Sequence, residues 1–559
     1  MRTIRRGPSL LGIALAVVCT AWGQGGAGRA GRAAVAPQQT PTVAPAATAG
    51  RGGRGGNTGP ASTEFYNYDA TAAAAGPAIP DAPPAETHQK TAVNGETLAY
   101  TARAGYLSLR NATTGQVEGH LFYTSYAKDG AAGATPGAAR PLLFFLGGAP
   151  GVSAAWQEFG GLGPKRMKWA NDGSAGQPPY SWVDNPHTLL SQADLVFVNP
   201  IGTAFSRPDQ PARGPNFWNS AGDVASLGEF VRTFLNANNR RNSPLFLAGE
   251  DFGTARAAGL AVYLTEHQIP VQGLVLLSMT MSADSTAGDA QYITLLPSLI
   301  MTAWRHKKLA PELTAMSAEQ ISGQARQFAS REYLHALYKG DRMSPEERTK
   351  AIADLSRLTG LSKAFLVNND LRISLDRFDA ELLRDQHRGP SNSDSRVTGF
   401  TPPATGGGRG GGGGFGAAPP AIDFNLYNIA GGFQSAYEDY LRRELTFGGN
   451  NNGIFYLTAG GVGAFTATGS DDVSLAAAFA RNPGLRLFVG VNYFNLNAPF
   501  YATEFTLAHL NVSPDVRAHN ITVSHYEAGQ MTYIDSKALA KLHDDLVRFV
   551  SQSAPAARQ

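Results

Sequence analysis

The stretch Leu245-Phe-Leu-Ala-Gly-Glu-Asp-Phe-Gly-Thr-Ala-Arg256 decides how this chain is read. Its apolar run, Leu245 to Ala248, has the length of a buried strand. Gly249 and Gly253 bracket a turn centred on Asp251, and the alanine-rich segment from Ala255 to Leu264 reads as a helix. A strand, a sharp turn and a helix in that order form a nucleophile elbow, which lifts one side chain above the end of a sheet. The first glycine keeps the turn free of a clash, and the second lets the helix begin close to the strand. Such an elbow carries serine at its centre; here the centre is aspartate.

Working outward, Pro141-Leu-Leu-Phe-Phe-Leu146 runs into Gly147-Gly-Ala-Pro-Gly151, and Ala193-Asp-Leu-Val-Phe-Val198 runs into Asn199-Pro-Ile-Gly-Thr-Ala-Phe-Ser206. A helical segment from Ala221 to Asn236 precedes the elbow strand, and Gly273-Leu-Val-Leu-Leu-Ser278 follows as another buried strand. Strands apolar on both faces, alternating with helices, predict a mostly parallel sheet covered on both sides. Upstream, Leu98 to Leu109 and Gly119 to Tyr126 alternate as antiparallel strands do. From Asp289 to about Arg388 helical periodicity dominates, and Ser344-Pro-Glu-Glu347 supplies a cap with proline at the first helical position. Strand signals return at Gly453 to Leu457, Leu485 to Gly490 and Ile521 to His525, before a terminal helix from Ser536 to Val550.

The chain's 559 residues can hold one large domain with insertions or two to three ordinary ones, and 43% apolar with 16% charged residues suits a globular protein. The net charge of +3 conceals an asymmetry: residues 1–60 hold seven arginines and no acid, leaving 40 basic against 44 acidic residues beyond them. No basic stripe runs through the folded part, so a nucleic-acid partner is not expected. Met1-Arg-Thr-Ile-Arg-Arg6, the apolar Leu10 to Trp22 and the small residues of Ala21-Trp-Gly23 read as a secretory signal peptide, predicting export to the periplasm or beyond the cell. The single cysteine, Cys19, lies inside it, so the mature chain would carry no disulfide, zinc–thiolate site or cysteine nucleophile. No later run has the length of a transmembrane helix. The expected organisation is a signal peptide (1–23), an Ala/Gly/Pro/Arg-rich tether (24–85), a first core part (86–288), a helical cap insertion (289–400), a Gly-rich loop (401–420) and a second core part (421–552).

From about Glu86 to Val550 the chain resembles the serine carboxypeptidases of the α/β-hydrolase fold, in their exported bacterial branch. Five blocks carry the resemblance in order. Gly147-Gly-Ala-Pro-Gly151 with Gly163-Pro164 sits where the family has Asn-Gly-Gly-Pro-Gly and a later Gly-Pro. Asn199 to Ser206 is similar to Asp-Pro-Val-Gly-Thr-Gly-Phe-Ser, and Gly249-Glu-Asp-Phe-Gly253 to Gly-Glu-Ser-Tyr-Gly. Tyr493-Phe-Asn-Leu-Asn-Ala-Pro-Phe500 resembles the block holding the family's aspartate, and Tyr526-Glu-Ala-Gly-Gln-Met531 the Gly-His-Met block.

The resemblance implies an α/β-hydrolase fold with a helical cap, and peptidase chemistry by serine, histidine and aspartate. Those three positions hold Asp251, Gln530 and Asn495 here. Aspartate attacking an amide would form a mixed anhydride, less stable than the amide. Glutamine does not titrate near neutrality and so cannot relay a proton, and asparagine carries no charge to steady an imidazolium. Ala149 and Phe252 stand at the oxyanion-hole positions, Gly147 replaces an asparagine that helps hold the substrate carboxylate, and Glu250 keeps the elbow glutamate. No metal or cofactor is expected. His525 and His509 are the nearby histidines, the first placed within a strand and the second more consistent with a structural role. The residues thus predict a pseudoenzyme whose old pocket binds a peptide or small ligand, with a carboxylate–glutamine–asparagine chain of hydrogen bonds at its centre. The alternatives are a hydrolase using Asp251 as an unusual nucleophile, as in enzymes that attack saturated carbon, and a surface interaction module acting through its Gly/Arg tracts.

Overall fold

The computed structural model describes residues 79, 81–93, 95–130, 140–148, 151–170, 173–279, 282–400, 423–448, 455, 457, 465 and 471–554. The expected signal peptide, almost all of the tether, the Gly-rich loop 401–420, most of the strand at 453–457 and Ala149 lie outside these residues.

Among the described residues nine strands run along the main sheet: β1 (Ala85–Val93), β2 (Glu96–Arg110), β3 (Val117–Lys128), β4 (Leu142–Phe145), β5 (Asp194–Val198), β6 (Leu245–Glu250), β7 (Gly273–Leu277), β8 (Arg486–Asn492) and β9 (Ile521–Tyr526). Their spatial order is β1-β2-β3-β5-β4-β6-β7-β8-β9, and the two-residue strand Arg207–Pro208 pairs with β3 as a tenth member. β1 to β3 and the β3–β5 pairing are antiparallel. From β5 onward every pairing is parallel. The exchange of β4 and β5 along the sheet, with the elbow strand central and helices on both faces, is the α/β-hydrolase fold expected from the sequence.

The elbow strand shows why its apolar run is unbroken. Successive side chains of a strand point to opposite faces, and both faces of β6 are covered. Leu245 and Leu247 pack with Leu227 and Phe230 of α1 (Ser220–Ala237) and with Ala257 and Leu260 of α2 (Phe252–Glu266). On the other face, Phe246 and Ala248 pack with Phe433 and Tyr437 of α3 (Phe424–Arg443) and with Leu542 and Leu546 of α4 (Ser536–Ser553). Helix α3 was not anticipated from sequence. Its Ile429, Phe433, Ala436, Tyr437 and Tyr440 form one buried stripe, and Phe433 stacks on Trp156 at 4.3 Å.

Between residues 283 and 382 the chain is mainly helical, its helices joining the core on the α1–α2 face. The capping box predicted there is present: Ser344 Oγ accepts from the Glu347 N–H at 3.2 Å, and a Glu347 carboxylate oxygen accepts from the Ser344 N–H at 2.9 Å. Pro345 opens that helix, where its missing N–H leaves no bond unmade.

One buried ion pair locks the elbow helix to its surroundings. Arg256, on α2, donates to Asp223 of α1 at 2.6 Å and to the carbonyls of Leu146 and Gly148 at 2.9 and 2.8 Å. Both charged side chains are shielded from water. Removing one partner of such a pair strands the other charge in the interior. Arg256→Met is therefore expected to lower unfolding stability by about 3–5 kcal/mol, read as a shifted midpoint in urea denaturation.

Candidate active site

Three backbones meet at the elbow with no room between them. A Cβ on Gly249 would lie 1.9 Å from the Gly253 carbonyl oxygen, and one on Gly253 would lie 2.0 Å from that of Gly147. Only glycine fits at either point, which explains the spacing that marked the stretch in the sequence. Asp251 sits between them with φ 52° and ψ −128°, a conformation costing a residue with a side chain about 1–3 kcal/mol. The turn is held by the Asp251 N–H, which donates to the Leu277 carbonyl at 3.1 Å, and by the Asp251 carbonyl, which accepts from the Thr254 N–H and hydroxyl at 2.9 and 2.6 Å.

The loop after β4 lies against this turn. Gly147 has φ 72°, and a Cβ there would sit 2.8 Å from the Val152 carbonyl oxygen, so this position is a left-handed backbone site. Asn199, fully buried, props the same loop: its Oδ1 accepts from the Ser153 hydroxyl at 2.7 Å and from the Ala154 N–H at 2.9 Å. The asparagine block after β5 thus supports the glycine block after β4.

Electrostatically the elbow is a pair of carboxyls with little to neutralise them. Burial pushes the Asp251 carboxyl up to about 6, against a hydrogen bond from the Phe252 N–H and the charge of Arg256. Glu250 is buried behind it. Burial raises its carboxyl to about 8, the Tyr533 hydroxyl donating at 2.7 Å pulls it down, and the charge on Asp251 adds to the rise. Its Oε1 is buried with no hydrogen-bond partner among the described residues.

Gln530 and Asn495 reach the same end of the sheet, but the expected relay is not formed. Ser278, which follows β7, donates to the Gln530 carbonyl at 2.9 Å, so the Gln530 backbone lies beside the elbow strand's neighbour. Gln530 Oε1, however, accepts from Asn497 Nδ2 at 3.3 Å. Asn495 spends its Oδ1 on the N–H groups of Asn497 and Ala498, at 3.0 and 3.2 Å, and its Nδ2 is buried without a partner. The carboxylate–glutamine–asparagine chain is thereby corrected: Asn495 folds back on its own turn, the local bond that short amide side chains make most readily.

Neither histidine supplies a base. His525 Nε2 meets Glu504 at 2.5 Å, and Arg326 donates to the same carboxylate. His509 bonds the Phe505 carbonyl at the end of its own helix, at 2.8 Å. Among the described residues no histidine hydrogen-bonds Asp251.

Sequence reading missed two supports. A polar network of Ser278, Asn492 and Thr532 ties β7, β8 and the Gln530 loop together; Asn492 Nδ2 donates to Ser278 Oγ at 3.0 Å, and Thr532 donates to Asn492 Oδ1 at 2.9 Å. A strap, residues 391–397, bonds both the Asn495 loop and the Gln530 loop. Its Asn392 and Ser393 carbonyls accept from the N–H groups of Leu496 and Gln530 at 2.9 and 2.6 Å, and its Arg396 spans Asp394 and Asp535 at 2.7 and 2.9 Å. The polar run Ser391-Asn-Ser-Asp-Ser395 was its one trace in the sequence. A cavity of about 100 Å³ lined by Arg103, Asp194, Asn238 and Arg240 lies at the start of β5, the opposite end of the sheet from Asp251. Parallel sheets take ligands at their carboxyl ends, which leaves the elbow end as the site.

Residues 93–353 match the family described as serine carboxypeptidase. This stretch includes Gly147, Asn199 and Asp251 and ends before Asn495 and Gln530. No curated protein matches the chain. Among solved structures it is similar to a lipase in its open form, at 12% identity over 81% of this chain and 100% of that one, with a TM-score of 0.31. A thioesterase domain from the curacin biosynthetic pathway is similar at 11% identity over 80% and 99% of the two chains, with a TM-score of 0.30. A peroxisomal alpha-beta-hydrolase from Saccharomyces cerevisiae is similar at 10% identity over 82% and 91%, with a TM-score of 0.32.

The buried Glu250 carries a consequence for stability. Its carboxyl is raised from 4.5 to about 8 in the fold, so the folded chain holds a proton that the unfolded chain releases. The stability this proton confers is complete below the unfolded value and is lost as pH rises through about 8. Asp251 acts in the same direction over a lower range. Melting midpoints of Glu250→Gln and wild type, compared from about pH 5 to about pH 8.5, are expected to show a shallower decline in the variant.

Proposed function

From a chain that is serine carboxypeptidase-like over residues 93–353, we propose a pseudoenzyme: an exported hydrolase-fold protein whose elbow site binds a peptide or small ligand without cleaving it. Export rests on the basic and apolar amino-terminal segment, Arg2 to Trp22. The loss of chemistry rests on one observation above the others. Asp251 occupies the apex of the elbow, and no imidazole hydrogen-bonds it among the described residues.

Each step of acyl transfer lacks its agent. A carboxylate nucleophile would have to form an anhydride from an amide, an uphill exchange. Departure of the amine needs a proton donor, and Gln530 has none to give. The route used by aspartate nucleophiles on saturated carbon also fails, because hydrolysis of the ester intermediate needs a base to activate water. Loss of a whole triad lowers turnover by about a millionfold, which places any remaining rate near background. Binding is a separate matter. The strained elbow, the loop propped by Asn199 and the strap at 391–397 form a built framework at this end of the sheet, which supports a reading of binding.

Hydrolysis of N-blocked dipeptides and of activated esters by the purified mature protein, beside Asp251→Ala, tests this reading. The two proteins are expected to share the same background rate. Turnover by the wild type alone would make Asp251 a nucleophile and overturn it.

A further inference from the structure

A second cluster lies away from the elbow, where the short strand Lys165–Met167 pairs with Trp182–Asp184 and the chain then turns through His187 toward β5. His187 stands beside His543 of α4 there, and the charges of His543 and Arg166 both bear on it. Arg166 is half-buried. It makes no hydrogen bond or ion pair among the described residues, and its Nε is shut off from water without a partner. His543 is 6% exposed; its Nδ1 lies 3.0 Å from Asp544 Oδ1, and its Nε2 is buried without a partner. The rings of His187 and His543 stand 5.7 Å apart between centres. Burial, then His543, then Arg166 hold His187 below its ordinary range, and Asp544 opposes them. The Asp544 side chain is 73% exposed and already meets His543. Lys165 alongside is paired with Asp184.

Polar atoms shut away from water are nearly always bonded, and those that are not point to a water or ion that belongs there. We propose that Arg166, His187 and His543 form a binding site for a small oxyanion of the sulfate or phosphate class. The guanidinium offers N–H donors in a fixed plane that matches such oxygens. An imidazole whose Nδ1 meets a carboxylate leaves Nε2 as an acceptor, and taking up a proton converts it to a donor. An oxyanion accepting from Arg166 Nε and His543 Nε2 would satisfy both orphaned atoms and neutralise the guanidinium. Binding is therefore coupled to proton uptake and tightens as pH falls. The site lies on elements separate from Gly147, Asp251 and Gln530 and does not depend on the reading of the elbow.

Sulfate is the suitable probe, because it stays a dianion across the range in which histidine titrates. Titration calorimetry of the full chain is expected to show saturable binding, about tenfold tighter at about pH 5.5 than at about pH 8. Arg166→Gln is expected to weaken it by about tenfold or more, and Arg166→Lys by less. Should Arg166→Gln fail to fold by circular dichroism, histidine NMR of the wild type decides: sulfate should shift the His187 and His543 signals and raise their titration midpoints, while chloride at equal ionic strength should not. Absence of saturable binding, affinity unchanged in a folded Arg166→Gln, or an equal response to chloride would overturn the proposal.

Discussion

Everything at the elbow follows from the contact of three glycine backbones. The Gly147 carbonyl occupies the space a Cβ on Gly253 would need, and the Gly253 carbonyl occupies that of a Cβ on Gly249. Strand, helix start and the loop after β4 are thus brought within backbone contact, closer than any side chain would allow. Closing the strand-to-helix turn in that space forces the residue at its apex into a left-handed conformation and lifts its side chain clear of the sheet. Arg256 then holds the arrangement by gathering the Leu146 and Gly148 carbonyls to α2 and pairing with Asp223. The geometry is indifferent to what the apex side chain is. Serine and aspartate would be presented alike.

Charge is where an aspartate at the apex is felt. Its carboxylate adds repulsion to the buried Glu250 behind it. Tyr533 supplies one hydrogen bond to that glutamate and leaves the other oxygen without one. Glu158, on the same face of the sheet, shows a related arrangement. It is buried with the hydroxyls of Tyr126 and Tyr437 at 2.5 and 2.7 Å, and burial raises its carboxyl to about 7. Carboxyls without a cation are kept in this interior chiefly by becoming neutral, whereas Asp223 has Arg256 beside it.

Regular elements were legible because their signals are local. The apolar runs of β4 to β7 are as long as their strands, and Ser344-Pro-Glu-Glu347 carries its cap within four residues. Helix α3 escaped notice because its stripe is aromatic and interrupted by glycine, and its meaning depends on Trp156 and Phe159, far away in sequence. The strap at 391–397 was equally hidden, since its bonds to Leu496 and Gln530 are made by backbone carbonyls that no residue type announces. Arg166 and His543 are ordinary residues when read along the chain. Only the tertiary structure shuts Arg166 Nε and His543 Nε2 away from water without a partner among the described residues.

By itself the sequence determined the sheet's parallel half, the position of the elbow and the identity of Asp251, Asn495 and Gln530. Each of these is written in a few consecutive residues whose steric and chemical requirements are local. Tertiary structure alone decided how those side chains are used. Whether Gln530 faces Asp251 or Asn497, whether Asn495 bonds a neighbour or its own turn, and whether His525 serves Asp251 or Glu504 depend on elements scores of residues apart. A buried polar side chain bonds whichever partner the packing places within reach, and that distance is set by the whole fold.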